Sequence, residues 1–134
     1  MVNWENSYKF GEKVEEKVLP LLKEYFNDKV VRSPKGRWSK YDYHDDEANY
    51  ELKARTNKMQ TYPTTMITCN KCEGADDKPL YLLFNYTDCL AYIQYDKEKF
   101  DNYEQQKFSR AGLDWDEKLH YYIPIDHLKV IQSY

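Results

Sequence analysis

The sequence predicts one α/β domain over residues 1–134, built on a mixed sheet flanked by helices. Three observations carry that expectation. Residues 7–27 place Val14, Val18, Leu21, Leu22 and Tyr25 at spacings of three and four, the pattern of an amphipathic helix. The runs PLYLLFNY and CLAYIQYD are short, apolar and rich in aromatic and branched residues, which fits buried strands. Segments with helical signals lie between and after the strands, so the two element types alternate as they do in a sheet covered by helices.

Composition narrows the function classes. A chain of 134 residues buries roughly two thirds of the surface its unfolded form exposes, which suits a single core. Fourteen tyrosines contribute much of the 41% hydrophobic content, so that core relies on phenol rings whose hydroxyls need partners. The longest apolar runs, such as LYLLF, have five residues, far short of a signal peptide or a membrane span. A soluble, cytoplasmic protein without a membrane partner is expected, with Cys69, Cys72 and Cys89 as thiols rather than a disulfide framework. The net charge of −3 gives no overall attraction to nucleic acid. Between Lys29 and Lys40, however, there are five basic residues and no acid, and screening confines each charge to about 10 Å, so a local basic face can still steer phosphates. A solvated loop accounts for the same run.

In chain order, the first helix contains Pro20, which lacks a helical donor and is expected to kink or break it. A short strand around KVVR follows, then a basic loop punctuated by Pro34 and Gly36. Residues 38–44 and 49–56 read as the two arms of a hairpin. PTTMITCNKCEG, opened by a threonine cap and Pro63 and closed by Gly74, reads as a short helix. PLYLLFNY and CLAYIQYD are joined by a tight turn at Thr87 and Asp88. KEKFDNYEQQKF reads as helical, and LHYYIPIDHLKVI as a final strand or short helix.

The hairpin carries the chemistry. With its turn centred on Asp46 and Glu47, Asp42 lies opposite Glu51. Side chains alternate along a strand and cross-strand partners share a face, so Asp42, Glu51 and Lys53 converge on one spot while Asp45 points with Tyr43 to the other face. A slip of one residue would undo this sorting. Two carboxylates held so close repel unless a proton or cation lies between them, and Mg2+ favours a pair of carboxylates completed by waters and phosphate oxygens. With a lysine adjacent, this set suits phosphodiester hydrolysis. A solvated hairpin in which Lys53 pairs with Glu51 or Asp42 accounts for the same residues, and both readings stay open here.

Tyr41 and Asp42, eight further residues and then Glu51, Leu52 and Lys53, preceded by an acid-bearing helix, resemble the PD-(D/E)xK nuclease superfamily. Tyr41 stands where the family's name has proline. The resemblance covers roughly residues 7–96 and implies a restriction-endonuclease-like α-β-β-β-α-β core, a central mixed sheet flanked by helices. It implies a Mg2+-dependent DNA endonuclease, Mn2+ substituting, in which Asp42, Glu51 and the Leu52 carbonyl hold the metal and Lys53 is catalytic. GEKVEEKVLPLL is similar to the Gly-x-x-x-Glu helix of the junction-resolvase branch, which assigns Glu15 an assisting catalytic role. DNA is the implied partner, and a homodimer is the commonest solution for a two-strand substrate. A binding module that keeps the fold without turnover is the alternative.

Further candidates for nucleic-acid contact are Lys35, Arg37, Lys40, Arg55, on the strand face of Lys53, and Lys71 on the following helix. Trp38, Tyr41 and Tyr43 are candidates for base stacking, with sheet packing as the alternative. Cys69 and Cys72 form a C-x-x-C whose second ligand pair is missing, so a zinc-stabilised adaptor completed by Cys89 or a histidine is a third reading. The richness in Lys, Tyr, Asn and Asp is compatible with a phage, viral or AT-rich source.

Overall fold

The computed structural model describes residues 4–34, 40–73, 78–109 and 117–134. Its first element is helix α1 (Trp4–Tyr25), which runs through Pro20 without a break. Val18 and Leu22, on either side of the proline, are fully buried, so packing holds both halves in register despite the missing donor. Strands β1 (Val31–Arg32), β2 (Tyr43–His44) and β3 (Asn49–Ala54) form an antiparallel meander. Strand β4 (Thr64–Thr68) and the one-turn helix α2 (Cys69–Cys72) lead to β5 (Leu80–Asn85) and β6 (Cys89–Gln94). Helix α3 (Lys97–Asp101), β7 (Glu104–Phe108), β8 (Lys118–Pro124) and β9 (Lys129–Ser133) complete the chain.

Two sheets result. The larger has the order β1-β2-β3-β5-β6-β9 and is mixed, because β3 and β5 run parallel while its other pairs are antiparallel. The smaller has the order β4-β8-β7 and is antiparallel throughout. A parallel pair needs a crossover, and the segment containing β4 and α2 supplies it.

Side-chain parity explains the layering. On one face of the large sheet Tyr43, Tyr50, Leu52, Leu83 and Leu90 receive Val14, Val18 and Leu22 of α1. On the other, Leu82, Phe84, Ala91 and Ile93 pack against Ile67, Tyr121 and Ile123 of the small sheet and Phe100 of α3. The central strand β5 is therefore apolar on both sides, which is why LYLLF reads as a continuous run rather than an alternation.

Three sequence expectations are corrected. TTMIT is a strand rather than the start of a helix: Thr65 and Ile67 alternate inward against β8, and only CNKC is helical. KEKFDNYEQQKF is helical only to Asp101, and EQQKF is the edge strand β7. The final segment is two strands in different sheets, separated by a 3-10 turn at Ile125–His127. Of the expected hairpin arms, residues 40–42, 55 and 56 lie outside the strands, and 38 and 39 lie outside the described residues. Its register matches expectation, with Tyr43 opposite Tyr50 and His44 opposite Asn49.

Asp45 fixes that register. Its buried carboxylate accepts the Glu47 and Ala48 N–H groups at 2.8 and 2.7 Å, the Tyr50 hydroxyl at 2.8 Å and Asn27 Nδ2 at 2.6 Å. Burial pushes its pKa up, but the bonds from Tyr50, the two backbone amides and Asn27 outweigh it and hold the group below the ordinary 3.8. Asp45→Ala would strand the Tyr50 hydroxyl and two turn amides, so a loss of about 3 kcal/mol in urea unfolding is expected. A loss under about 1 kcal/mol would mean that water replaces the carboxylate without cost.

Candidate functional site

Extending the observed register by one pair sets Asp42 opposite Glu51. Strand β2 begins at Tyr43, and just before it the Asp42 carboxylate extends the ladder by accepting the Leu52 N–H at 2.8 Å, while the Asp42 carbonyl accepts the Ser33 N–H at 2.9 Å. Glu51 is 3% exposed on the face that receives α2 and the small sheet. Lys53, two residues along the same face, places Nζ 3.5 Å from Glu51 Oε2, and Lys71 of α2 places its Nζ 3.4 Å from the same oxygen. The second oxygen, Glu51 Oε1, is buried without a hydrogen-bond partner.

The electrostatics follow from this crowding. Burial and the Asp42 charge push the Glu51 pKa up from 4.5 to about 7, against the opposing pull of Lys53 and Lys71. Glu15 approaches from α1: burial and the Asp42 carboxyl raise its pKa, while the Arg32 guanidinium, bonded to Glu15 Oε2 at 2.6 Å, lowers it. Glu15 is held further by its backbone, whose carbonyl accepts the Tyr43 hydroxyl at 2.6 Å. Three acids thus gather near three cations, with Glu51 the most deeply buried of them.

Helix α2 is tied down over the site by its neighbours. Lys71 Nζ donates to the Lys40 carbonyl at 3.1 Å, the Tyr41 hydroxyl donates to the Lys71 carbonyl at 2.8 Å, and Lys40 Nζ reaches the Glu73 carbonyl. Lys71 and Lys40 therefore serve first to hold α2 against the residues before β2. Arg55 lies on the Lys53 face, but it is spent largely on the protein: its guanidinium donates to the Met66 carbonyl at 2.7 Å and lies over the Phe84 ring. Burial keeps its pKa below the ordinary value.

Tyr43 is fully buried and bonded to Glu15, which removes it from the candidates for base stacking. Lys35, Arg37 and Trp38 lie outside the described residues. Gly11 is not required by close packing, since a Cβ there would meet open space. The cysteines are free thiols; burial pushes Cys72 up to about 12, and Cys89 Sγ lies 3.6 Å from Met59 Sδ. Among the described residues no group of three or more His, Cys, Asp or Glu is arranged to hold a metal ion.

Sequence reasoning missed Arg32 as the counter-charge of Glu15, although it belongs to the basic run that drew attention. It also missed Asn70, Lys118 and His120, which with Lys53, Arg55 and Lys71 line a cleft of about 400 Å3 beside Glu51. Among the described residues no helix is long and apolar enough to cross a membrane. Comparison of the chain with protein-family models, curated proteins and solved structures returned no match.

Proposed function

We propose that the chain is a divalent-metal-dependent DNA endonuclease of the PD-(D/E)xK type, hydrolysing phosphodiester bonds at Asp42, Glu51 and Lys53. The observation that carries this reading is Glu51: a carboxylate 3% exposed, raised to about 7, with one oxygen in contact with two lysines and the other without a partner. A buried charge so poised is characteristic of functional sites. The order of elements supports the same reading in part: a helix, three meandering strands and a parallel strand build the central sheet, and the short helix lies in the crossover, where strand β4 of the second sheet precedes it.

The residues present fit a hard cation. Asp42 and Glu51 offer oxygen only, and the bare Glu51 Oε1 leaves an acceptor for a positive ion; Mg2+ takes one or two carboxylates and fills its remaining positions with water and phosphate oxygens. Asp42 and Glu51 would hold it, with the Leu52 carbonyl as a further oxygen and Mn2+ as a substitute. When bound, such a cation polarises the phosphate and lowers the pKa of a coordinated water. Lys53 orients the attacking water and stabilises charge developing on the phosphate. Lys71 reaches the same Glu51 oxygen as Lys53 and keeps its carboxylate oriented. Glu15, balanced by Arg32, orients Asp42 through the side-chain hydrogen bond between the two carboxyl groups.

The test is cleavage of labelled linear duplex, single strand, flap, four-way junction and supercoiled plasmid with Mg2+ or Mn2+. Metal-dependent cutting that Asp42→Asn abolishes supports the reading. A protein that binds these DNAs and cuts none would be a binding module on the same fold.

A further inference from the structure

The cleft beside Glu51 continues into a second one of about 570 Å3, the two sharing Arg55, Met66 and Phe108. Their floor is the outer face of the small sheet. Cross-strand pairing places Met66 opposite Tyr122, Thr68 opposite His120, and Phe108 opposite Lys118, so these side chains share the face turned away from the core. Inward-facing Ile67, Tyr121 and Ile123 carry the packing, which leaves the outer set unneeded for the core.

The composition of this surface departs from that of the chain. The protein has 23 acids and a net charge of −3, yet among the described residues no Asp or Glu lines either cleft, while Lys53, Arg55, Lys71, Lys118 and His120 line the end beside Glu51; Glu104, opposite Tyr122 on the same sheet face, lies outside the lining and accepts the Gln106 side-chain amide. The far end is aromatic, with Tyr62 at 60% exposure, Phe108 at 40%, and Tyr122. His120 accompanies Phe108, their rings meeting edge to face at 5.9 Å. The Lys118 carbonyl can only accept, so His120 donates from Nδ1 at 2.8 Å and keeps Nε2 for another partner. A cation-lined cleft leading to exposed rings matches single-stranded nucleic acid, whose backbone needs positive charge and whose unpaired bases expose faces for stacking. Duplex bases offer no such face.

We infer that this groove binds an unpaired stretch of nucleic acid continuous with the scissile phosphate, Lys118 contacting its backbone and Phe108 stacking a base. The inference rests on the nuclease reading, and it assigns that site a substrate class: DNA with a single-stranded segment beside the cut, rather than blunt duplex.

The experiment measures fluorescence anisotropy of a labelled single strand, a blunt duplex and the same duplex with a single-stranded overhang, in EDTA so that nothing is cut. Wild type is compared with Phe108→Ala, Phe108→Tyr and Lys118→Ala, and cutting is scored separately with Mg2+. Wild type is expected to bind single strand and overhang at least tenfold more tightly than blunt duplex. Phe108→Ala should erase about tenfold of that preference and Phe108→Tyr should retain it, because a phenol still stacks. Lys118→Ala should lower the salt dependence of single-strand binding by about 0.7 in log–log slope, the value of one phosphate contact. Equal affinity for all three DNAs, or a preference indifferent to Phe108→Ala, would overturn the inference, as would no binding at all. The two readings fail separately. Binding with the expected preference but without cutting sinks the nuclease reading and keeps the groove; cutting of blunt duplex as fast as overhang keeps the nuclease and sinks the groove.

Discussion

Alanine at Lys53 is expected to slow metal-dependent DNA cleavage by about 10³-fold, within the range of a positioned proton-transfer or charge-stabilising group. The loss should fall on the chemical step. Lys53 is a third exposed, and its ammonium shares Glu51 with Lys71, so removing it leaves Glu51 with one of its two cations and should leave the fold in place. Single-turnover assays at saturating enzyme separate this from weakened binding. Lys53→Arg should recover only part of the rate, because a guanidinium keeps the charge but cannot exchange a proton near neutrality. A Lys53→Ala protein cutting within threefold of wild type would mean that Lys53 only pairs with Glu51, as on any solvated hairpin.

Glu51→Gln should change stability with pH as strongly as it changes activity. In the folded chain burial and Asp42 hold the Glu51 carboxyl near 7, against an ordinary 4.5. Between those values the folded state binds a proton that the unfolded state has released, so this group's contribution to stability is full below about 4.5 and is lost as pH rises through 7. The difference is on the order of 3 kcal/mol, taking about 1.4 kcal/mol per pH unit. Urea titrations in EDTA should therefore find Glu51→Gln more stable than wild type at pH 8 by that order and nearly equal to it at pH 4.5. Stability curves that stay parallel across this range would show that Glu51 is ionised at no cost and that the buried oxygen is satisfied. Saturating Mg2+ at pH 8 should close the gap by stabilising wild type alone, since an ion that binds the folded state selectively shifts the equilibrium toward it.

The parts of the molecule legible in its sequence are those where one physical signal dominates. Helix α1 is written in its 3.6-residue periodicity, and Val14, Val18 and Leu22 are the residues it buries. The hairpin register could be read because its turn is short and Asp45 caps it, so parity alone brings Asp42 to Glu51. The small sheet was illegible for the opposite reason. EQQKF is exposed at every position and made of residues that suit helices, so only pairing with β8 makes it a strand. TTMIT alternates over just five residues, next to a proline and threonines that also open helices. Missing that sheet meant missing Lys118 and His120, which reach the cleft only through it. Lys71 was legible as a helix residue beside the site, but its contact with Glu51 depends on a single turn anchored by Tyr41.

The most direct test of the central claim is a titration of Mn2+ into wild type, Asp42→Asn and Glu51→Gln, with free Mn2+ read by electron paramagnetic resonance and proton release measured at pH 6. Wild type is expected to bind Mn2+ at Asp42 and Glu51 and to release close to one proton per ion, because Glu51 with a pKa of about 7 must ionise to accept it. Either substitution should abolish that binding. Wild type that binds no Mn2+, or variants that bind it equally with no proton released, would contradict the account and leave the acids of the hairpin as a charged surface.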